Sequence, residues 1–150
     1  NIEEYMRRQH NILIGERSAE RVKIEVGAAM TEIENPPADF AVQGRDLMSG
    51  IPKEVYISYV EIAHCLDKSI AKIEEAILNA LEMTPPELAA DIYRKGIYMA
   101  GGGSLLRGLD KRISLKTKLA VHVCEDPLRA VARGTGIALN NVNKFPFLIR

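Results

Sequence analysis

Six aliphatic residues, Ile62, Leu66, Ile70, Ile73, Ile77 and Leu81, follow one another at steps of 4, 4, 3, 4 and 4. That spacing keeps them on one side of a helix of about six turns, an apolar stripe that must lie against another layer. Ser58-Tyr59-Val60-Glu61 opens the stretch and fits the S/T-x-x-E capping box, in which each side chain accepts from the other residue's amide. A core helix packed on a sheet satisfies such a stripe, and the flanking sequence supplies the strands. Residues 40–47 and 51–58 read as two strands joined at Ser49-Gly50, a hairpin candidate. Beyond the helix a second box, Thr84-Pro85-Pro86-Glu87 with Pro85 at the first helical position, predicts a helix over 85–94. The apolar run Ile97-Tyr98-Met99-Ala100 reads as a strand, Gly101-Gly102-Gly103 as a turn, and a helix is expected from near Ser104. A strand over 119–123 and a last helix, capped by Asp126-Pro127 and running to about Asn140, complete the series. This order is α/β grammar with a parallel pair of strands.

The first 58 residues are richer in hairpin and loop. Residues 3–14 show helical spacing with Gly15 as the stop, and a short helical turn is expected over 18–22. Val22-Lys23-Ile24-Glu25-Val26 alternates apolar and charged residues, which predicts a half-buried strand. Residues 31–39, with Asn35-Pro36-Pro37, read as a loop. Two lobes are expected, with the long helix as their junction.

Composition removes several classes of function. Lys plus Arg and Asp plus Glu each total 20, so the formal charge is zero. General nucleic-acid binding needs a basic surplus for phosphate contacts, and a polybasic membrane tether needs one too. No transmembrane segment or signal peptide is expected. Cys65 and Cys124 lack metal-ligand spacing and read as buried thiols in a reducing compartment. The chain starts at Asn1 without an initiator Met, so further elements of a longer protein are expected upstream.

Two places carry candidate chemistry. A strand delivering the chain to three glycines and a helix start offers free amides and a bare backbone, against which phosphate or a nucleoside can lie. Gly101, Gly102, Gly103 and Ser104 match neither G-x-x-x-x-G-K-[ST] nor G-x-G-x-x-G. A plain tight turn explains the glycines equally well, and the residues alone leave both readings open. The second place is Glu20-Arg21-Val22-Lys23. Glu20 and Lys23 lie three apart, so on a helical turn they face the same way and can bracket an adenine edge or a ribose hydroxyl. Taken alone the pair reads as an exposed ion pair. His10, His64 and His122 have no metal-like spacing, no nucleophile elbow is present, and no catalytic constellation is evident.

At these motifs the sequence resembles the bacterial actin homologues, specifically the MreB rod-shape family. The likeness runs through residues 10–20, Gln43-Gly44-Arg45-Asp46-Leu47 with Gly50-Ile51-Pro52, residues 83–92, residues 96–110, and Asp126-Pro127-Leu128 with residues 130–136. It covers almost the whole chain, in family order.

The resemblance implies a fragment of the actin-like ATPase (ribonuclease H-like) fold, mainly its second lobe. Residues 1–62 would be the small outer subdomain. Residues 63–128 would be the inner subdomain with the adenosine motif, and residues 129–150 a C-terminal helix and tail returning to the first lobe. It implies a cytoplasmic, ATP-binding filament protein that self-associates, determines rod shape, and meets wall-synthesis and membrane proteins in its full-length form. Glu20, Arg21, Val22 and Lys23 would line the adenine pocket opposite Gly101, Gly102, Gly103 and Ser104. The family's phosphate loops, its Mg²⁺-holding acids and the carboxylate that orients the attacking water have no counterpart here. Mg is therefore expected only in the full-length protein, and the fragment is expected to be catalytically inactive alone. The alternatives on the same fold are a sugar or acetate kinase and a chaperone ATPase domain, and off it a free-standing interaction module. The apolar tail Phe145-Pro146-Phe147-Leu148-Ile149-Arg150 is expected to dock on the first lobe.

Overall fold

The computed structural model describes residues 1–141 and 144. The tail from Phe145 to Arg150, with its expected docking, lies outside the described residues. Helix α1 (Ile2–His10) ends five residues before Gly15, because Asn11 takes the left-handed conformation at φ 52 and its N–H donates to the Met6 carbonyl. Asparagine tolerates that region through its short polar side chain. The chain then forms strand β1 (Ile12–Leu13) and helix α2 (Glu16–Val26).

The strand expected over residues 22–26 is thus the second half of a helix, which also absorbs the short turn expected at 18–22. Val22 and Val26 are four apart, so both fall on one helical face and both are fully buried. Ile24, the residue that completed the alternation, is 63% exposed. Residues 27–39 contain no regular element beyond an isolated bridge from Ala28 to Arg107. Strands β2 (Phe40–Asp46) and β3 (Pro52–Ile57) form the expected hairpin, and β1 adds to β2 to give an antiparallel sheet in the order β1-β2-β3. Its turn is held by Asp46, whose carboxylate accepts from the Met48 and Ser49 amides.

Helix α3 (Tyr59–Glu82) begins at the capping box the sequence signals: the Ser58 hydroxyl accepts from the Glu61 amide and the Glu61 carboxylate accepts from the Ser58 amide. Glu61 also meets His10 Nε2 at 2.9 Å and accepts from the Tyr5 hydroxyl, tying α3 to α1. The stripe is buried at Ile62 and Ile70 and open at Ile73, which is 47% exposed.

Helix α4 (Pro86–Lys95) starts one residue later than expected and without a side-chain cap. The Thr84 hydroxyl donates instead to the Ala80 carbonyl, closing the end of α3, so it serves the preceding helix. Strands β4 (Ile97–Met99) and β5 (Val121–Val123) form the expected parallel pair, with Tyr98 opposite His122. The helix expected from Ser104 is a single 3-10 turn (Gly102–Leu105), and α5 (Leu109–Thr117) follows only after Gly108 reverses the chain. Asp126-Pro127 forms a turn closed by the Arg129 amide on the Asp126 carbonyl rather than a cap, and α6 (Ala130–Asn140) begins beyond it.

Two apolar clusters hold these elements. The first joins α1, α2 and the three-stranded sheet to the start of α3 through Met6, Ile12, Val22, Val42, Ile57 and Ile62. The second gathers Ala29, Ile70, Leu109 and Ile113, and Leu66 packs against both. Across the second cluster Arg112 of α5 donates to Glu74 at 2.7 Å, to Asp67 at 2.8 Å and to the Ala29 carbonyl at 3.0 Å. The Glu74 bond, partly opposed by burial and reinforced by Asp67, holds the Arg112 guanidinium above its ordinary range. No residue of α4 or α6 is buried. Cys65 and Cys124 are both half-buried free thiols. Among the described residues no helix is long and apolar enough to cross a membrane.

Candidate functional site

Where β4 ends, Gly101 turns the chain at φ 84, a conformation that costs an L-residue with a Cβ but not glycine. The corner is fixed on both sides. The Gly101 amide donates to the Pro127 carbonyl at 2.7 Å, and the Ser104 hydroxyl donates to the Gly101 carbonyl at 2.6 Å. Gly102 and Gly103 then lie exposed. A Cβ on Gly103 would meet nothing within 4 Å, and one on Gly102 would meet only Leu128 Cδ2, at 3.0 Å. Their backbone is therefore bare on its outer side.

Opposite stands α2. Glu20, Lys23, Ile24 and Gly27 are spaced by 3, 1 and 3, which puts them on a single helical face. That face and the glycine turn bound a cleft of about 410 Å³, lined also by Leu105, Leu106, Arg107 and Leu128. The volume falls within the ~300–1,000 Å³ range of small-molecule pockets. Its walls are mostly apolar: Ile24, Leu105 and Leu128 line it and are each more than half exposed. The polar groups are few. Glu20 Oε2 and Lys23 Nζ are 3.9 Å apart and both well exposed, a loose pair that is free to turn toward a ligand. Such a cleft can take a flat apolar group with polar edges, next to a portion that approaches backbone.

Of the residues singled out from sequence, Glu20, Lys23, Gly102 and Gly103 meet across this cleft. The others do not line it. Val22 is fully buried in the first apolar cluster, and Arg21 points to the opposite side, its guanidinium 5.5 Å from the centre of the Phe40 ring. Gly101 sets the corner, and Ser104 is buried, its hydroxyl holding that corner. In place of the expected helix start stands a single 3-10 turn, so bare backbone and apolar walls carry the candidate site. Ile24, Gly27, Leu105, Leu106, Arg107 and Leu128 went unrecognised. Reading residues 16–26 as a helix would have placed Ile24 and Gly27 beside Glu20, whereas nothing in the sequence separates the leucines from ordinary core positions.

A second cleft, of about 460 Å³, lies between α1 and α3. It is lined by exposed Glu4, Arg8, Lys68 and Lys72 beside His64 and Cys65, and none of the residues singled out for a ligand lies in it. Among the described residues no group of three or more His, Cys, Asp or Glu side chains converges to hold a metal.

The sequence profile of the MreB/Mbl protein family matches residues 1–146. This chain belongs to the MreB/Mbl family. It is 40% identical over 142 residues to the cell shape-determining protein Mbl of Bacillus subtilis (strain 168), covering 95% of this chain and 42% of that protein. It is 42% identical over 139 residues to the cell shape-determining protein MreB of Escherichia coli (strain K12), covering 93% of this chain and 40% of that one. Among solved structures, that of MreB5 of Spiroplasma citri bound to ADP superposes with a TM-score of 0.89 at 38% identity, over 95% of this chain and 43% of the other. The chain thus spans about two fifths of the length of these relatives. Its fold is a fragment of the actin-like fold, as the resemblance implies. Family membership sets it with the cell-shape proteins rather than with the sugar or acetate kinases or the chaperone ATPase domains.

Proposed function

We propose that this MreB/Mbl chain is the base-side wall of an ATP cleft in a cytoskeletal filament protein that determines rod cell shape. The observation that carries the reading is the meeting of Glu20 and Lys23 with bare Gly102 and Gly103 across one apolar cleft. The named functions of the cell-shape relatives and the ADP held by the Spiroplasma citri protein support it. In this reading Ile24, Leu105 and Leu128 cover the faces of the adenine. Glu20 accepts and Lys23 donates at the base edge and the ribose hydroxyls, and the unshielded backbone at Gly102 and Gly103 lets the sugar–phosphate end lie close. When bound, ATP supplies the transferable phosphoryl group, and its hydrolysis is mostly a matter of positioning and charge stabilisation. The phosphate loops, Mg²⁺ ligands and water-orienting carboxylate belong to a first lobe of the longer protein.

The subdomain division at residues 62 and 128 is part of the same proposal. So are filament self-association, contact with wall-synthesis and membrane proteins, and a cytoplasmic, membrane-associated location for the full-length protein. Val131, Ile137 and Leu139 on α6 are exposed apolar side chains available to the return toward that first lobe.

The test is an amide-resolved NMR titration of the chain with ADP. Shifts are expected at Lys23, Ile24, Gly102 and Gly103, with a dissociation constant no tighter than about millimolar, near −4 kcal/mol, since one wall contributes few phosphate contacts. A micromolar constant would show that the phosphate-binding parts are already present. Absence of shifts at those amides overturns the nucleotide reading itself.

A further inference from the structure

One of the cleft-lining residues has no direct role in the proposed grip on the base. Arg107 follows the 3-10 turn, and its guanidinium reaches the end of α2, where Nη1 donates to the Ile24 carbonyl at 3.0 Å and to the Gly27 carbonyl at 3.3 Å. The last carbonyls of a helix have no intrahelical partner, and a cation there also meets the negative end of the helix dipole. The backbone repeats the connection: the Ala29 amide donates to the Arg107 carbonyl at 2.8 Å, and Ala28 and Arg107 form an isolated parallel bridge. Gly27 makes the approach possible, because a Cβ there would come within 2.9 Å of Leu106 Cδ1 and into the Lys23 carbonyl. The residues held are Ile24 and Gly27, on the same face as Glu20 and Lys23. Arg107 itself lies three positions beyond Ser104, at the end of the opposite wall.

The geometry points to Arg107 as a positioning residue that latches the α2 wall to the glycine wall and so fixes the width of the cleft. The inference rests on the nucleotide reading above and deepens it. Both bonds leave one nitrogen, Nη1, and a lysine puts a charge on a flexible, strongly hydrated stem there, without the planar group that holds that nitrogen in place. An alanine leaves both carbonyls to water and the two walls joined through backbone alone.

The experiment compares wild type, Arg107→Ala, Arg107→Lys and Arg112→Ala, each titrated with ADP by NMR well below its melting temperature. Arg112 is the control for loss of stability: it braces α3 against α5 and holds the Ala29 carbonyl, but it lines no part of the cleft and touches neither Ile24 nor Gly27. Without ligand, Arg107→Ala is expected to shift the amides of both walls, from Lys23 to Gly27 and from Gly102 to Leu105, and to speed exchange of the Ala29 amide. With ADP, Arg107→Ala is expected to bind at least about fivefold more weakly, the worth of one net hydrogen bond. Arg107→Lys is expected to recover part of that loss, and Arg112→Ala is expected to bind as wild type does despite melting earlier. If Arg107→Ala binds ADP as wild type does, or if Arg112→Ala weakens binding equally, the latch is refuted while the nucleotide reading stands. If wild type itself shows no ADP-dependent shift, both fall together.

Discussion

Three consecutive glycines that look alike in sequence are expected to answer substitution in three different ways. Gly101 sits at φ 84, where an L-residue is strained, so Gly101→Ala should cost about 1–2 kcal/mol. For a chain of this size that is a fall of very roughly 2–8 °C in melting temperature, at about 2–4 °C per kcal/mol. Gly102 and Gly103 have negative or extended φ, and a Cβ on Gly103 meets nothing within 4 Å. Gly103→Ala should therefore be neutral or stabilising by up to about 1 kcal/mol, through the lower entropy of the unfolded chain. Gly102→Ala asks only Leu128 Cδ2 to move by a few tenths of an ångström, and Leu128 is 69% exposed and able to do so; its stability should stay within about 0.5 kcal/mol of wild type. Binding should rank differently. Gly103→Val projects its branches into the cleft, where the proposed nucleotide would approach the backbone, and should abolish the ADP-dependent amide shifts in a protein that still melts like the parent. Gly101→Ala, measured well below its melting temperature, should keep them in weakened form. Differential scanning calorimetry and the NMR titration on the same four variants decide it. Should Gly103→Val bind ADP normally, the bare backbone is only a turn; should Gly103→Ala melt as low as Gly101→Ala, the assignment of strain to one glycine is wrong.

Two further outcomes follow from the packing. Arg112→Met leaves the buried Glu74 carboxylate, itself only 7% exposed, without its cation, and should destabilise by about 3 kcal/mol. The Arg112→Met/Glu74→Met double variant should recover most of that in urea melts, and a double variant no better than the single one refutes the account. At Glu61 burial pushes the carboxyl up, but the Ser58 amide, His10 and the Ser58 hydroxyl outweigh it and hold it below the ordinary glutamate range. Its folded-state value being the lower one, Glu61 contributes stability above about pH 4.3, and this is lost as pH falls through the folded value. Stability measured from pH 6 downward should accordingly fall more steeply in wild type than in Glu61→Gln, and parallel curves would remove Glu61 from the acid response.

Much of the architecture was legible because it rests on local, mutually consistent signals. The capping box of α3 and the hairpin at Ser49-Gly50 each combine a periodicity with an end marker and form as read. The α3 stripe gives the helix but is buried only at Ile62 and Ile70, and it packs chiefly on α1, α2 and α5 rather than on a sheet. The failures share another cause. Val22 to Val26 satisfies both a two-residue and a four-residue period, and only the burial of Val22 and Val26 with exposure of Ile24 separates them. Ile24 spoils the amphipathic pattern because it faces a cleft rather than the core, so the site itself disguised the helix that builds it. Thr84 failed as a cap because its hydroxyl donates back to the Ala80 carbonyl, and Asp126 because α6 begins only at Ala130, beyond the turn that its backbone carbonyl closes. Of the site, Glu20, Lys23, Gly102 and Gly103 came from motifs. Leu105, Leu106 and Leu128 did not, since an apolar residue that lines a cavity carries the same letter as one that fills a core.

The cleft also couples the two apolar clusters. Its α2 wall is anchored in the first through Val22 and Val26, while its glycine wall precedes α5, whose Leu109 and Ile113 form the second. The walls touch through the Ala28–Arg107 bridge and the Arg107 side chain, and the clusters share Leu66 of α3. A ligand that contacts both walls binds only while the clusters are docked, so it must stabilise their junction by the same free energy with which docking favours it. Millimolar ADP at several times its dissociation constant would then raise stability by about 1 kcal/mol. That gain should concentrate in slower exchange of the Ala29 amide at the junction rather than in the core of the three-stranded sheet. Slowing spread evenly over both clusters would mean that they already unfold as one unit and that the cleft reports nothing about how they meet.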